Sequence, residues 1–153
     1  MSIVLTSPVF TEGAAIPKRH AGEGDNLSPA LSWSGFPSAT KSFVLLVEDP
    51  DAPSGTFIHW VLVNVPPEVS QLAEGLPTKS ALPGIGRQGT NDAQVTGYFG
   101  PYPPPGKPHR YFFKIFALDR MLDLPVGCTA AQVHHAMQAH ILDTGSLMGT
   151  YLR

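Results

Sequence analysis

Two histidines stand where they could serve one site. His59 lies in TFIHWVLVNV, residues 56–65, and His109 opens HRYFFKIFALD, residues 109–119. An imidazole donates or accepts hydrogen bonds and changes charge near neutral pH, so a pair of them can hold an anion or move a proton. Asp49 and Asp51 sit in the turn cluster DPDAPSG that precedes the His59 strand. If residues 43–48 and 57–65 pair as neighbouring strands, this short connection brings both acids close to His59. Side chains alternate along a strand, so Phe57, His59, Val61 and Val63 are expected on one face, and His109, Tyr111, Phe113 and Ile115 on one face of theirs. Apolar neighbours desolvate His59 and favour its neutral form unless an acid is near. The competing reading of His59 is a core histidine with one backbone hydrogen bond.

Between the two histidines lies GPYPPPGKP, residues 100–108, with five prolines and two glycines. Proline fixes φ and has no N–H to donate. Such a loop makes a stiff wall of apolar rings and exposed carbonyls, able to border a pocket without collapsing into it. Pro104 is the candidate wall residue, with His109 and Tyr111 at the exit of the loop. The alternative is a polyproline edge that only shields a sheet.

Other constellations carry less. His134, His135 and His140 in HHAMQAH lack the metal spacing followed by a glutamate base, and read as partly exposed polar positions. Asn91-Asp92 in GRQGTND is a turn element. No nucleophile elbow, Walker loop or dinucleotide fingerprint occurs, so neither a metal nor a cofactor is expected, and no catalytic residue is assigned. The single cysteine, Cys128, excludes an internal disulfide framework.

The elements that must hold these residues follow from hydrophobic pattern and turn chemistry. SIVLTSPVF, ALSW, KSFVLLVED, TFIHWVLVNV and HRYFFKIFALD read as strands, with 43–48, 57–65 and 110–117 in the core. A helix is expected over 129–142. Thr129 and Gln132 form its capping box, Val133, Met137 and Ile141 its buried stripe, and Gly145 its stop. The tail SLMGTYLR packs back onto the domain. Sixteen prolines, roughly twice the usual share of about 5%, fit short strands and shaped loops. The expected architecture is mostly β, a two-sheet antiparallel sandwich with a helix near the C-terminus, in one domain over residues 1–153.

Bulk properties bound the function. A net charge of -2 and no basic run exclude a nucleic-acid footprint. No apolar run is long enough to span a membrane, and the N-terminus lacks the features of a signal peptide, so a cytoplasmic location is expected.

Taken in order, GDNLSPALSW, KSFVLLVEDPDAP, HWVLVNVP, RQGTNDAQVTGYFGPYPPPGKPHRYFF and a helix ending in LMGTY resemble the phosphatidylethanolamine-binding protein family, also called the Raf kinase inhibitor protein family, in its compact bacterial and archaeal branch. The resemblance implies a two-sheet β-fold with a small anion pocket at one end. By motif position it implies ligand-binding roles for Asp49, Asp51, His59, Pro104, His109 and Tyr111, with the aspartates orienting the histidines. Family members accept phosphate-like groups, including the phosphatidylethanolamine headgroup. Some eukaryotic members bind and inhibit kinases, and plant relatives regulate flowering. A protein partner such as a kinase, a homodimer built on the C-terminal helix and tail, and a cis Ala52–Pro53 bond are further expectations.

The chain also departs from the family pattern. The connection from DPDAP to the His59 strand is shorter than in the animal proteins, so the rim should differ. Tyr102 and Gly22 stand where bacterial members often carry Cys, and a bulky Tyr102 narrows the mouth towards small anions. The leading function is therefore non-enzymatic binding of a small anionic or phosphorylated ligand. The alternative is a hydrolase in which the Asp and His side chains activate water.

Overall fold

The computed structural model describes residues 2–153. Its strands are β1 (Val4–Thr6), β2 (Leu31–Ser34), β3 (Ser42–Asp49), β4 (Phe57–Val65), β5 (Gln71–Leu72), β6 (Ala81–Leu82), β7 (Gly86–Gln88), β8 (His109–Leu118) and β9 (Ile141–Tyr151), with one α-helix, α1 (Ala130–Met137). They form two antiparallel sheets, β1-β2-β5 and β6-β7-β4-β3-β8-β9. The two-sheet β-fold with a helix near the C-terminus is the architecture expected from the sequence.

The apolar runs explain the layering. β3 is buried on both faces, because alternate residues enter two separate cores. Phe43, Leu45 and Val47 point between the sheets, where they meet Trp60, Leu62, Phe113 and Ile115 of the large sheet and Leu5, Leu31, Trp33 and Leu72 of the small one. Val44 and Leu46 face the other way and pack with Val61, Val63 and Leu118 under Val133 and Met137 of α1.

This topology converges the chemistry. β3 lies between β4 and β8 and runs antiparallel to both. The end of β3 therefore meets the starts of the other two strands. Asp49 pairs with Phe57, and Glu48 pairs with both Ile58 and Phe112. On the inward face, the series Phe43, Leu45, Val47 continues to Asp49, and the series Ile115, Phe113 continues to Tyr111 and His109. The polar ends of these series extend the sandwich interior beyond its apolar core.

One local irregularity changes the expected face of β4. Val47 pairs with Trp60 but Glu48 pairs with Ile58, so His59 is an extra residue in a β-bulge. His59 and Trp60 consequently lie on the same side, and Val61 and Val63 fall on the opposite side, in the α1 core. The alternation expected for Phe57, His59, Val61 and Val63 fails at this bulge. For His109, Tyr111, Phe113 and Ile115 it holds.

The helix is shorter than its hydrophobic pattern suggests. Its capping box is present, with Thr129 Oγ1 accepting from the Gln132 N–H and Gln132 Oε1 accepting from the Thr129 N–H. It ends at Met137, and Ala139 turns the chain at φ 66°. Ile141 is not in the buried stripe; it starts β9 and is 44% exposed. Gly145 is not a helix stop but a strand residue, where a Cβ would come within 2.2 Å of the Ile3 carbonyl oxygen. Pairing of β9 with β8, from His109–Tyr151 to Leu118–Ile141 with an extra residue at Leu142, outcompetes the extra helical turn. The Ala52–Pro53 bond is trans, as are all peptide bonds among the described residues. The turn closes instead through Asp49 Oδ1, which accepts the Asp51 N–H, and through the Ala52 carbonyl, which accepts the Gly55 N–H.

The end of α1 can be tested by Ala139→Gly. A non-glycine residue in the left-handed region costs about 1–2 kcal/mol, so glycine should stabilise the protein by up to about 1 kcal/mol in urea unfolding. Were Ala139 inside a helix running to 142, the same change would destabilise by about 1 kcal/mol.

Candidate functional site

A cavity of about 260 Å³ opens where the inward faces of β3, β4 and β8 run out of apolar side chains. It is lined by Asp49, Ala52, Pro53, Phe57, His59, Phe99, Tyr102, Pro103, Pro104, His109 and Tyr111. Five of the six site residues expected from the sequence are brought together there. The sixth, Asp51, stands outside the lining. It takes Arg110 in a two-point ion pair, Nε to Oδ2 at 3.0 Å and NH2 to Oδ1 at 2.9 Å, and also accepts the Arg110 backbone N–H. These bonds hold the Asp51 carboxyl well down, to about 2. Asp51 thus pins the start of β8 from outside and orients neither histidine.

Asp49 orients one of them. It is buried, and its two carboxyl oxygens have separate partners: Oδ1 accepts the Asp51 N–H at 2.8 Å and Oδ2 accepts His109 Nδ1–H at 2.7 Å. His109 is also buried. Its committed Nδ1 leaves Nε2 as the ring nitrogen available to an occupant of the cavity.

His59 is held differently. Its Nδ1 donates to the Phe99 carbonyl at 2.6 Å, and its own carbonyl accepts the Phe99 N–H at 2.9 Å. Because a carbonyl can only accept, the hydrogen must sit on Nδ1, and the neutral ring carries its lone pair on Nε2. The ring is stacked on Phe99 at 5.7 Å and 4° and meets the edge of Tyr111 at 5.2 Å. Burial pushes the His59 pKa below its ordinary value; the Phe99 carbonyl, the charges of Asp49 and Asp92 and the Gly100 backbone oppose the shift without cancelling it. His59 is thus a buried histidine with a backbone bond, and its ring also lines the cavity.

Tyr111 adds a donor beside the Asp49 carboxyl. Its hydroxyl oxygen is buried and makes no hydrogen bond of regular geometry. Burial first, and then the nearby Asp49 carboxyl, raise its pKa far above the ordinary phenol range, so it stays protonated. A buried hydroxyl without a regular hydrogen bond costs about 1–3 kcal/mol, a cost that an acceptor in the cavity would remove.

The proline loop is a wall, as its composition suggests, with Pro103 and Pro104 on the lining. Its position comes from contacts that the sequence did not reveal. The Gly100 N–H donates to Asn26 Oδ1 at 2.7 Å, and a Cβ on Gly100 would lie 2.0 Å from the His20 carbonyl oxygen. The Gly22 N–H donates to the Pro101 carbonyl, and Gly22 lies directly behind Tyr102. The two positions at which the chain departs from the bacterial pattern, Gly22 and Tyr102, are therefore neighbours across the rim. Phe99 lines the cavity without belonging to any of the expected site motifs; its place immediately before the rigid loop is its signal in the sequence. Asn91-Asp92 is the expected turn and also braces the site. Asn91 Oδ1 closes the turn onto the Ala93 N–H, and Asp92 Oδ2 accepts the N–H of Ile58, next to His59.

Among the described residues, no three His, Cys, Asp or Glu side chains converge closely enough to hold a metal ion. No Ser, Thr or Cys lines the cavity. No helix among the described residues is long and apolar enough to cross a membrane.

Known proteins match this chain in sequence and fold over nearly its whole length. The family model described as phosphatidylethanolamine-binding protein matches residues 6–152. A UPF0098 protein of Methanothermobacter thermautotrophicus is 44% identical, over 97% of this chain and 98% of its own. One from Chlamydia muridarum is 45% identical over 96% and 97%. The crystal structure of CT736, a phosphatidylethanolamine-binding protein homologue from Chlamydia trachomatis, superposes with a TM-score of 0.90 at 43% identity, covering 99% of this chain and 98% of that one. That of Escherichia coli YbcL, described as a member of the mammalian family, gives 0.92 at 34% identity, covering 100% and 99%. With its fold, its motifs and nearly its whole length matched, the chain belongs to the phosphatidylethanolamine-binding protein family.

Proposed function

We propose that the protein binds a small anionic or phosphorylated ligand in the cavity without transforming it. The observation that carries this reading is the convergence of three groups on one half-open cavity: His59, His109 and a buried Tyr111 hydroxyl that makes no regular hydrogen bond within the protein. At about 260 Å³ the cavity lies below the range of about 300–1,000 Å³ typical of drug-sized ligands. Its walls are largely aromatic and proline rings, which strengthen electrostatic contacts by lowering the local dielectric. The family is named for phosphatidylethanolamine, whose headgroup phosphate is chemistry of this kind.

Binding is favoured over hydrolysis by the same inventory. The lining has no Ser, Thr or Cys to act as a covalent nucleophile, so hydrolysis would have to rest on water activated by a histidine Nε2 or by Asp49. Both Asp49 oxygens already hold structural bonds, Oδ1 to the Asp51 N–H and Oδ2 to His109, which weakens Asp49 as a base. Cleavage of phosphomonoesters that disappears in His59→Ala would support the hydrolase instead.

Protonation should be linked to binding, and the sign follows from His59. Neutral His59 turns a lone pair on Nε2 towards the ligand, whereas an anion needs a donor there. Its free pKa lies below 6.5, so the ring is largely neutral at neutral pH. An anion favours the imidazolium and draws in a proton. Sulfate affinity should therefore rise as pH falls, by up to about tenfold per pH unit, while the pH lies above the free and below the bound pKa of His59. Titration calorimetry between about pH 8 and about pH 5.5, in buffers of different ionisation enthalpy, should show proton uptake with each sulfate bound. Equal affinity across this range would remove the histidine from the binding role.

Tyr111→Phe separates ligand binding from stability. Removing a buried hydroxyl that makes no regular hydrogen bond should leave the melting temperature unchanged or slightly raised, while sulfate affinity falls by about 1–3 kcal/mol. Lower stability with unchanged sulfate affinity would assign the hydroxyl a structural role instead.

A further inference from the structure

The mouth of the cavity is bordered by Tyr102, the one aromatic lining residue that is substantially exposed, at 49%. Nothing in its own loop fixes that side chain: proline rings flank it, and its nearest aromatic neighbour, Phe99, is 6.4 Å away between ring centres. A residue remote in sequence fixes it. Arg153 lies beyond the end of β9, and its guanidinium carbon sits 4.3 Å from the centre of the Tyr102 ring. The same side chain donates from NH1 to the Pro103 carbonyl at 3.1 Å. Arg153 therefore grips two successive residues of the wall, one by its ring and one by its backbone. A planar guanidinium can stack and donate at the same time, whereas a lysine ammonium can only place a point charge.

The grip is itself anchored. Arg153 Nε lies 3.8 Å from Glu23 Oε1, and Glu23 Oε2 accepts the Tyr151 hydroxyl at 2.5 Å. Tyr151 is the β9 residue paired with His109. Glu23 follows Gly22, whose backbone N–H holds Pro101 and whose missing side chain leaves room for Tyr102 to lean back. Three separate segments, residues 22–23, 101–103 and 151–153, thus meet at one guanidinium on the rim.

We propose that Arg153 is a specificity-determining residue that holds Tyr102 across the mouth and so restricts the cavity to small anions, excluding phosphodiesters whose second substituent must leave through that opening. The proposal rests on the cavity being the ligand site. Arg153 acts through Tyr102 and the Pro103 carbonyl, as a positioning residue.

The test compares sulfate with glycerophosphoethanolamine, a lipid headgroup without its acyl chains, by calorimetry on the full chain. Wild type, Arg153→Ala, Arg153→Lys, Tyr102→Ala and the Arg153→Ala/Tyr102→Ala double variant are measured. Wild type should bind sulfate and bind the phosphodiester weakly. The phosphodiester-to-sulfate affinity ratio should rise by about tenfold in Arg153→Ala, as expected when a stacked and hydrogen-bonded grip is lost. Arg153→Lys should recover part of the wild-type ratio. Tyr102→Ala should show the same rise, and the double variant no further rise, because both changes act through one contact. An unchanged ratio in Arg153→Ala, or additive changes in the double variant, would overturn the proposal while sulfate binding stands. Absence of sulfate binding in every protein would overturn the ligand site itself, and the proposal with it.

Discussion

The pocket depends on a two-point clamp between His59 and Phe99. Main chain bonds to main chain in one direction and imidazole to carbonyl in the other, so a single residue of the loop fixes both the position and the tautomer of the ring. The clamp requires His59 to turn inward beside Trp60, which the β-bulge in β4 allows. It also requires Phe99 to lie along β4, which sets where the proline wall begins. A bulge and a rigid loop, each unremarkable alone, place one ring nitrogen at the cavity with its hydrogen-bonding character decided.

His59 and His109 are therefore complementary rather than equivalent. His109 is tied to a carboxyl group and His59 to a neutral carbonyl. A carboxyl partner compensates positive charge on a ring; a carbonyl orients a ring but compensates less. Burial dominates at His59 and keeps it neutral until something negative enters. An occupant of the cavity can thus supply the compensating charge that the protein withholds, and the Tyr111 hydroxyl gains an acceptor at the same time. An anion in the cavity would give the Tyr111 hydroxyl and the histidine Nε2 atoms a common partner.

Much of this arrangement is legible in the sequence, for physical reasons. Strand alternation carries His109 and Tyr111 to the inward face of β8, and the short DPDAP connection carries Asp49 to the start of β4. The proline run announces a stiff wall. What was not legible depended on contacts between distant segments. The bulge at His59 is set by pairing with β3, not by local pattern. Asp51 looks like Asp49 in the motif, yet its side chain finds Arg110 outside the cavity. Ile141 continues a helical stripe, but the open edge of β8 recruits it into a strand. Arg153 gives no local signal, because its meaning comes from Tyr102 fifty-one positions earlier.

The most direct test of the central claim is nitrogen NMR of the His59 imidazole during a sulfate titration near neutral pH. The account predicts the Nδ1–H tautomer in the free protein, with an unprotonated Nε2, and conversion to the doubly protonated ring as sulfate binds. An Nε2–H tautomer in the free protein, or a His59 ring that stays neutral at saturating sulfate, would contradict it.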